Sequence, residues 1–339
     1  MGLHRLWLHL VVSVLIFAAA SAQAQTKLAL KVGASDRPDQ AALYLSLYRG
    51  YFDQEGLAVE LIPSATGADF LAGLGRNQIQ ATTGSVTAAL FNALGRGIDI
   101  HIVADYAHVG TTHDASAAIV GGTALMDGGE LRTPADLKGR VLGAGPAPAQ
   151  LADLTFQRLL DEAHLTPGDV TIRYLGFPDS LAALATGNLD AAFLIEPLVT
   201  EGERKGIARV FRPLSDIVPG MELSVLQYSA ELAGNRDAAT RFMVAYLRGV
   251  RDFYDVTWKH ENEDTTFAFL AQRLSLKDPE LWRAVRRNVD LNGKINVDSI
   301  KAMAAFFKAE GAIVGPIPDI DRYVDPSFAE AAVKILGAR

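Results

Sequence analysis

The sequence has 339 residues, of which 49% are hydrophobic, and this is enough apolar material for about two packed domains. It contains no cysteine, which excludes disulfide scaffolds, cysteine-based zinc sites, iron–sulfur clusters and thiol nucleophiles. The net charge is −7 and no lysine or arginine cluster stands out, so the composition argues against nucleic acid as a partner.

The N-terminal residues are typical of a secretory signal peptide. A short basic start precedes an apolar run from Leu6 to Ala20, and Ala22 and Ala24 then stand in the A-x-A spacing of a cleavage site. We predict a signal peptide over residues 1–24, cleaved after Ala24, with an uncleaved membrane anchor as the alternative. We therefore expect a periplasmic mature chain with no segment inserted in the membrane.

The rest of the chain alternates between strand and helix patterns. A first series runs from a predicted strand at 28–35 to another at 98–106, and a second runs from 116–122 to 190–195. The last third, from about Asn235, is mainly helical. Such alternation predicts βαβ units around mostly parallel sheets flanked by helices, which is an α/β fold.

The two series contain an internal repeat. The segment "LAGLGRNQIQATTGSV" at 71–86 aligns without gaps with "LAALATGNLDAAFLIE" at 181–196. The repeat predicts two similar α/β lobes, each with a helix, a tight turn and a buried strand. Because ligands bind outside the carboxyl ends of strands in open α/β sheets, we expect the loops after both strands to face one cleft.

Four segments resemble one family of transport proteins. They are "LYLSLYRGYFDQEGLAVEL", "DLKGRVLGAG", "FPDSLAALATGNLDAAFLIEP" and "NGKINVDSIKAMAAFFKAEG…VDPSF". They resemble the periplasmic substrate-binding proteins of ABC importers, in the branch for nitrate, sulfonates, taurine, bicarbonate and thiamine precursors. The resemblance implies a two-lobed, type II-like fold with two crossover hinges. Lobe one would comprise 26–111 plus 218–339, lobe two 112–217, and the hinges would lie near Thr111–Thr112 and Pro213–Val218.

The same resemblance implies a function in transport. The protein would bind a small organic molecule and deliver it to an ABC permease and its ATPase, as a monomer, without a cofactor, a metal or a chemical reaction. One alternative is an enzyme of the same fold related to thiamine-pyrimidine synthases, although their histidine and cysteine-rich motif are missing here. Another is a ligand-sensing subunit of a membrane receptor.

Three candidate ligand contacts follow the first strand. Arg37 either pairs with a ligand carboxylate, sulfonate or phosphate through its planar guanidinium or is a solvated surface residue. Gln40 offers a donor and an acceptor where relatives resembling thiamine-precursor binders carry histidine. Tyr44, one helical turn further on, faces either the cleft or the core.

The segment "TTGSV" at 82–86 predicts an anion-binding turn. Free backbone N–H groups and the hydroxyls of Thr83 and Ser85 meet there around Gly84, at the end of a strand and the start of a helix. Ser85 serves as the N-cap of that helix, as a ligand contact, or as both. Thr66 occupies a similar turn one unit earlier.

The matching turn in lobe two, "GAGPAPAQ" at 143–150, has a different character. Pro146 and Pro148 remove two N–H donors, which favours a ligand with an apolar body. Tyr106 and Phe177, near predicted strand ends, supply aromatic contacts to such a ligand or belong to the core.

Glu196 directly follows the buried strand of lobe two. As the first acid of a helix with Pro197 next to it, it stabilises that helix through the helix dipole. As a cleft carboxylate, it accepts hydrogen bonds from a ligand amine, amide or hydroxyl and disfavours simple anions. Both interpretations remain open at the level of sequence.

Overall fold

The computed structural model describes residues 27–64, 66–111 and 116–339. The predicted signal peptide at 1–24 lies outside these residues. No helix within the described ranges combines the length and the apolar character needed to cross a membrane.

Ten strands form two mixed sheets with the same internal arrangement. Across the first sheet the strand order is 2-1-3-10-4, and across the second it is 7-6-8-5-9. In each sheet four strands are parallel to one another and one, the tenth or the fifth, is antiparallel to its two neighbours. The mostly parallel α/β architecture predicted from the sequence is therefore confirmed. The strands are β1 Leu28–Gly33, β2 Leu57–Ile62, β3 Ala81–Ser85, β4 Ile100–His108, β5 Ala117–Gly122, β6 Val141–Gly143, β7 Thr171–Arg173, β8 Ala191–Ile195, β9 Ala208–Pro213 and β10 Glu222–Ser229.

Helices connect the strands and cover the sheets, and most of the chain after β10 is helical, as predicted. The helices are α1 Ala41–Tyr48, α2 Tyr51–Gln54, α3 Gly67–Gly75, α4 Ala88–Gly95, α5 Thr123–Gly128, α6 Leu151–Glu162, α7 Phe177–Ala185, α8 Leu198–Arg204, α9 Ala230–Gly234, α10 Arg236–Lys259, α11 Glu263–Arg273, α12 Pro279–Trp282, α13 Val297–Ala309 and α14 Ser327–Leu336. Short 3₁₀ turns occur at Pro38–Gln40, Pro134–Leu137, Pro167–Asp169, Leu214–Asp216 and Ile320–Arg322.

The internal repeat is present in the structure. Helices α3 and α7 begin and end 110 positions apart, and so do strands β3 and β8. The tight turn between helix and strand has a left-handed residue in both copies, Asn77 at φ 54° and Gly187 at φ 70°. A left-handed residue ends a helix and turns the chain back, and glycine or asparagine adopts it at the least cost.

A side-chain hydrogen bond is also repeated. The backbone N–H of Lys31 in β1 donates to Oε1 of Gln80 over 2.8 Å, and that of Val141 in β6 donates to Oδ2 of Asp190 over 2.7 Å. In both copies a polar side chain just before the central strand thus fixes the neighbouring strand. The equivalence of the two units extends to individual contacts.

The long helix α10 forms the core behind the first sheet. Phe242, Tyr246 and Val250, spaced four residues apart, are fully buried on one of its faces. Tyr228 of β10 packs edge-on against Phe242, with ring centroids 5.6 Å apart. Fully burying a side chain of this size contributes roughly 1.5–3 kcal/mol, so this face anchors the helix that the sequence pattern predicted.

The chain passes between the two sheets twice, after β4 and after β9. Val109, Ala117, Leu214 and Val218 lie in or beside these connections, are at most 4% exposed and belong to one apolar cluster. The predicted hinges fall in these connections, and residues 112–115 of the first lie outside the described ranges. The lobe boundaries and the hinge motion stay predictions.

Candidate functional site

A cavity of about 330 Å³ lies at the carboxyl ends of β1 and β3. The first sheet and its loops supply almost all of the wall, mainly through serine, threonine and glutamine side chains. The turn before α6, in the second sheet's half of the molecule, supplies Gln150. The cavity is therefore polar and neutral in most of its lining, and it lies where the repeat placed the cleft.

Seven of the ten predicted site residues line this cavity. They are Arg37, Gln40, Thr66, Thr83, Gly84, Ser85 and Tyr106. The other three, Tyr44, Phe177 and Glu196, are not among the lining residues.

The charged residues of the wall form a pair. Arg37 donates from Nε to Oδ1 of Asp39 over 3.0 Å, and its Nη2 contacts Oδ2 of the same carboxylate over 2.5 Å. Burial alone would raise the pKa of Asp39, but the hydrogen bonds and charge of Arg37, with the charge of Arg287, lower it below its usual range. Arg37 is paired with this carboxylate while its side chain is 63% exposed, so its contact with a ligand anion stays a prediction.

A buried hydrogen bond joins β3 to the residue that precedes α1. The hydroxyl of Thr83 in β3 donates to Oε1 of Gln40 over 2.8 Å, and both side chains are at most 6% exposed. Gln40 immediately precedes α1, so the contact fixes the start of that helix against the sheet. The acceptor of Gln40 is thereby used within the protein.

The predicted anion-binding turn is longer than expected. Ser85 is the last residue of β3, and the next residue, Val86, continues the sheet by donating its N–H to the carbonyl of Leu223 over 3.0 Å. Helix α4 therefore begins only at Ala88, with Thr87 at its N-cap position. The interpretation of Ser85 as the helix cap is wrong, although Ser85 and Thr87 both line the cavity.

Two further predicted residues are fixed by local contacts. Thr66 caps α3, accepting from the N–H of Asp69 over 3.2 Å. Tyr106 in β4 is 3% exposed and donates its hydroxyl to the carbonyl of Asp39. Burial raises the pKa of Tyr106 above its usual value, so it stays neutral and acts as a donor.

Arg287 packs against the ring of Tyr106. Its guanidinium carbon is 5.1 Å from the ring centroid of Tyr106, and Nη2 donates to the hydroxyl of Ser224 over 3.2 Å. Its Nε is buried and has no hydrogen-bond partner among the described residues. Arg287 does not itself line the cavity, but it adds positive charge near the Arg37–Asp39 pair.

Tyr44 and Phe177 belong to the core. Tyr44 on α1 packs against the apolar cluster of the first sheet. Phe177 begins α7, and its ring centroid is 6.0 Å from that of Phe193 in β8. Tyr44 is a candidate because it lies one helical turn after Gln40, and Phe177 because it stands near a predicted strand end, but each side chain packs against apolar neighbours.

Glu196 accepts hydrogen bonds from its own helix. Its carboxylate accepts from the N–H of Thr200 over 3.1 Å and from the Thr200 hydroxyl over 3.0 Å, within the first turn of α8. Burial raises the pKa of Glu196 to about 7, and the two hydrogen bonds from Thr200 oppose that rise. Of the two interpretations left open by the sequence, these contacts support the helix-capping one.

The lining residues with polar side chains that sequence reasoning missed include Asp39, Gln150, Ser224 and Gln227. A signal for Gln150 existed, because it stands 110 positions after Gln40 and both glutamines directly precede a helix. Ser224 and Gln227 lie on β10, a strand that the sequence analysis did not predict. Only the placement of β10 between β3 and β4 brings them to the cavity.

The chain matches one protein-family model and many solved structures. The family model is described as NMT1/THI5 like and matches residues 37–256. No curated protein sequence matches the chain.

Three solved structures illustrate the similarity. The periplasmic aliphatic sulphonate binding protein SsuA from Escherichia coli has a TM-score of 0.70 at 16% identity, covering 88% of this chain and 92% of that protein. The periplasmic nitrate-binding protein NrtA from Synechocystis PCC 6803 has a TM-score of 0.69 at 14% identity, covering 92% and 89%. The desulfurization enzyme DszB has a TM-score of 0.65 at 16% identity, covering 91% and 100%.

These similarities fix the fold and the family. The SsuA and NrtA structures confirm the type II periplasmic binding protein fold that the sequence predicted, while DszB shows that an enzyme also uses it. The family match spans more than half of the chain and includes every cavity residue from Arg37 to Gln227. The chain therefore belongs to the NMT1/THI5-like family.

Proposed function

We propose that the protein is the periplasmic substrate-binding component of an ABC importer. It captures a small polar organic molecule between its two lobes and delivers it to the permease and its ATPase. The observation that carries this proposal is the composition of the cavity wall, in which hydroxyl and amide groups from the first sheet face Gln150 from the second sheet's half. A cavity of about 330 Å³ is of the size that encloses a small molecule.

The two connections between the sheets support a closing motion. Hinged two-lobe proteins bind a ligand by closing around it, and the hinge residues lie in the segments that join the lobes. Here the chain crosses between the sheets only after β4 and after β9 within the described ranges. Closure would bring Gln150 and its turn onto a ligand held by the first sheet.

An enzymatic function on the same fold is the second candidate, because DszB shares the fold. One similar structure is a cysteine-to-serine mutant of DszB in complex with biphenyl-2-sulfinic acid. This chain has no cysteine, and no histidine lines the cavity in the part of the chain that the structure describes. The lining carboxylate, Asp39, is held by Arg37 and is not free to act as a base. The cavity therefore favours binding over catalysis.

The proposal is tested by identifying what the exported protein carries. Native mass spectrometry of protein isolated from periplasm should show a small-molecule adduct and an N-terminus at Gln25. The released compound, added back at about 100 times its dissociation constant, should stabilise the ligand-free protein by about 2.7 kcal/mol. Conversion of that compound to a product by purified protein would contradict the proposal and support an enzyme.

A further inference from the structure

The side chain of Gln227 has no hydrogen-bond partner for either end of its amide. It lies on β10, between β3 and β4, and is only 1% exposed. Neither Nε2 nor Oε1 finds a partner among the described residues. Burying an amide group without hydrogen bonds is costly, so a side chain of this kind at a cavity indicates a ligand contact.

The amide of Gln227 faces the cavity over Gly84. Strand β10 pairs with β3 in a register that sets Val225 opposite Gly84 and Gln227 opposite Thr82. A Cβ atom added to Gly84 would lie 2.9 Å from Nε2 of Gln227, so the glycine leaves the space that the amide uses. Gly84 and Gln227 both line the cavity.

Two other polar side chains of the cavity wall already have partners within the protein. Oε1 of Gln40 accepts from Thr83, and Arg37 holds Asp39. Gln227 is a buried side chain of the wall whose donor and acceptor both lack a partner among the described residues.

A glutamine amide without a partner in the protein needs a ligand group that both accepts and donates a hydrogen bond. A carboxylate or sulfonate carries only acceptors, so it would satisfy Nε2 and place its charge against Oε1. An ammonium group carries only donors, so it would satisfy Oε1 and leave Nε2 without an acceptor. A group with an N–H beside a carbonyl satisfies both ends at once, through two parallel hydrogen bonds.

We infer that Gln227 is the main recognition residue of the cavity and that the ligand presents an amide-type edge, as a carboxamide, a lactam or a urea does. This inference rests on the proposed binding function and names the ligand class for it. A neutral glutamine in the wall suits such an edge, and the nearby cation, Arg37, is paired with Asp39.

A panel of matched probes tests the inference on the mature protein by calorimetric titration. Benzamide and 2-pyrrolidone present the edge, whereas benzoate, benzenesulfonate and acetophenone are similar in size and lack it. We expect benzamide or 2-pyrrolidone, whichever binds more tightly, to bind at least about tenfold more tightly than benzoate, benzenesulfonate or acetophenone. Each of these three leaves a buried polar atom of Gln227 without a hydrogen bond, which weakens binding. If both amide probes fail to bind, or bind no better than the anions, the inference is overturned.

Substitution then ties the preference to one residue. Gln227→Met keeps the length of the side chain and removes both polar atoms, so the preference for amides should disappear while the melting temperature of the ligand-free protein does not fall. Gln78→Met, at an exposed glutamine outside the cavity, is the control and should change neither. A Gln227→Met variant that retains the amide preference overturns the inference. The inference is also overturned if Gln227→Met has a lower melting temperature and the protein that remains folded still prefers amides.

The outcomes separate this inference from the proposed function. If the compound carried by the exported protein is bound but contains no amide-type edge, the ligand class is wrong and the binding function stands. If the compound is converted to a product, the binding function itself is wrong.

Discussion

The two repeated units place the same backbone at the cleft but equip it with different side chains. In the turn before α1, positions 37 and 39 are arginine and aspartate, and 110 positions later, before α6, both are alanine. After β3 the chain offers Ser85 and Thr87 to the cavity, whereas after β8 it offers Glu196, which binds its own helix. One pair keeps its chemistry, because Gln40 and Gln150 both line the cavity.

This difference indicates that the two units have different roles in the proposed binding function. The first unit, with β10 inserted beside β3, supplies the hydrogen-bonding surface that a ligand would recognise. The second supplies a mostly apolar turn with a single glutamine, as a closing surface requires. The predictions that follow change one unit at a time, and each affinity refers to the compound that the exported protein carries unless another probe is named.

The largest effect on affinity is expected at Gly84. In Gly84→Ala the new Cβ would lie 2.9 Å from Nε2 of Gln227, so the flexible amide must move out of its position. We expect affinity to fall about 100-fold, which corresponds to the loss of two hydrogen bonds, with little change in melting temperature. Gly95→Ala, which has open space around its added Cβ, is the matched control for calorimetry and should bind normally. Normal binding by Gly84→Ala would place the ligand elsewhere.

The next effect concerns charge selectivity at Asp39. Asp39→Asn removes the carboxylate that holds Arg37, so the guanidinium becomes available to anions. We expect the affinity for benzenesulfonate to rise about tenfold relative to the wild type. The rise should shrink with added salt, because exposed charges are screened. Asp53→Asn, which breaks an exposed pair with Lys27, should leave sulfonate binding unchanged. If Asp39→Asn binds benzenesulfonate no more tightly than the wild type does, Arg37 points away from the ligand.

A smaller effect is expected for the contact from the second unit. Gln150→Ala should weaken binding about 3- to 10-fold, because it removes one hydrogen-bonding group from a wall that has many. Gln40→Ala, at the equivalent position of the first unit, should cost more and should also lower the melting temperature, since it leaves the Thr83 hydroxyl unpaired. Stopped-flow titration separates the two, because a closing contact affects the dissociation rate most. Identical affinities of wild type and Gln150→Ala would mean that the second unit does not touch the ligand.

The smallest effect on affinity is expected at Glu196, where only stability should respond. The pKa of Glu196 is raised to about 7 in the folded protein, above the 4.5 of an ordinary glutamate. Its contribution to stability is therefore complete below pH 4.5 and is lost as the pH rises through about 7.

Glu196→Gln removes this loss while keeping an acceptor for Thr200. Above pH 7 the variant should be more stable than the wild type by about 1–3 kcal/mol, and at pH 4 the two should be alike. Urea unfolding at several pH values measures the difference, and calorimetry should show unchanged ligand affinity. A tenfold loss of affinity would restore Glu196 to the ligand site.

The sequence predicted the scaffold well because the scaffold is encoded locally. Apolar periodicity located α10, and the gapless repeat located α3, β3, α7 and β8 at matching positions. Seven predicted residues line the cavity, because they lie in β3 or β4 or in the turns that follow β1 and β2, and this edge of the sheet forms the cleft.

Three other predicted residues do not line the cavity, and Gln227 does, because of contacts that the sequence pattern alone does not reveal. Glu196 follows its strand as a cleft residue would, yet it turns back to Thr200, four residues later. Phe177 stands near a predicted strand end and Tyr44 one helical turn after Gln40, but the apolar neighbours that hold them come from elsewhere in the fold. Gln227 is distant in sequence from β3, and only the pairing of β10 with that strand sets its amide beside Gly84.

The central claim, that the first unit holds the ligand and the second closes on it, is tested most directly by a crystal structure of the protein with the compound it carries. The account predicts ligand atoms within hydrogen-bonding distance of both Gln227 Nε2 and Oε1, with Gln150 on the opposite side of the ligand. A ligand bound at Glu196, or one that leaves the Gln227 amide without a partner, would contradict it.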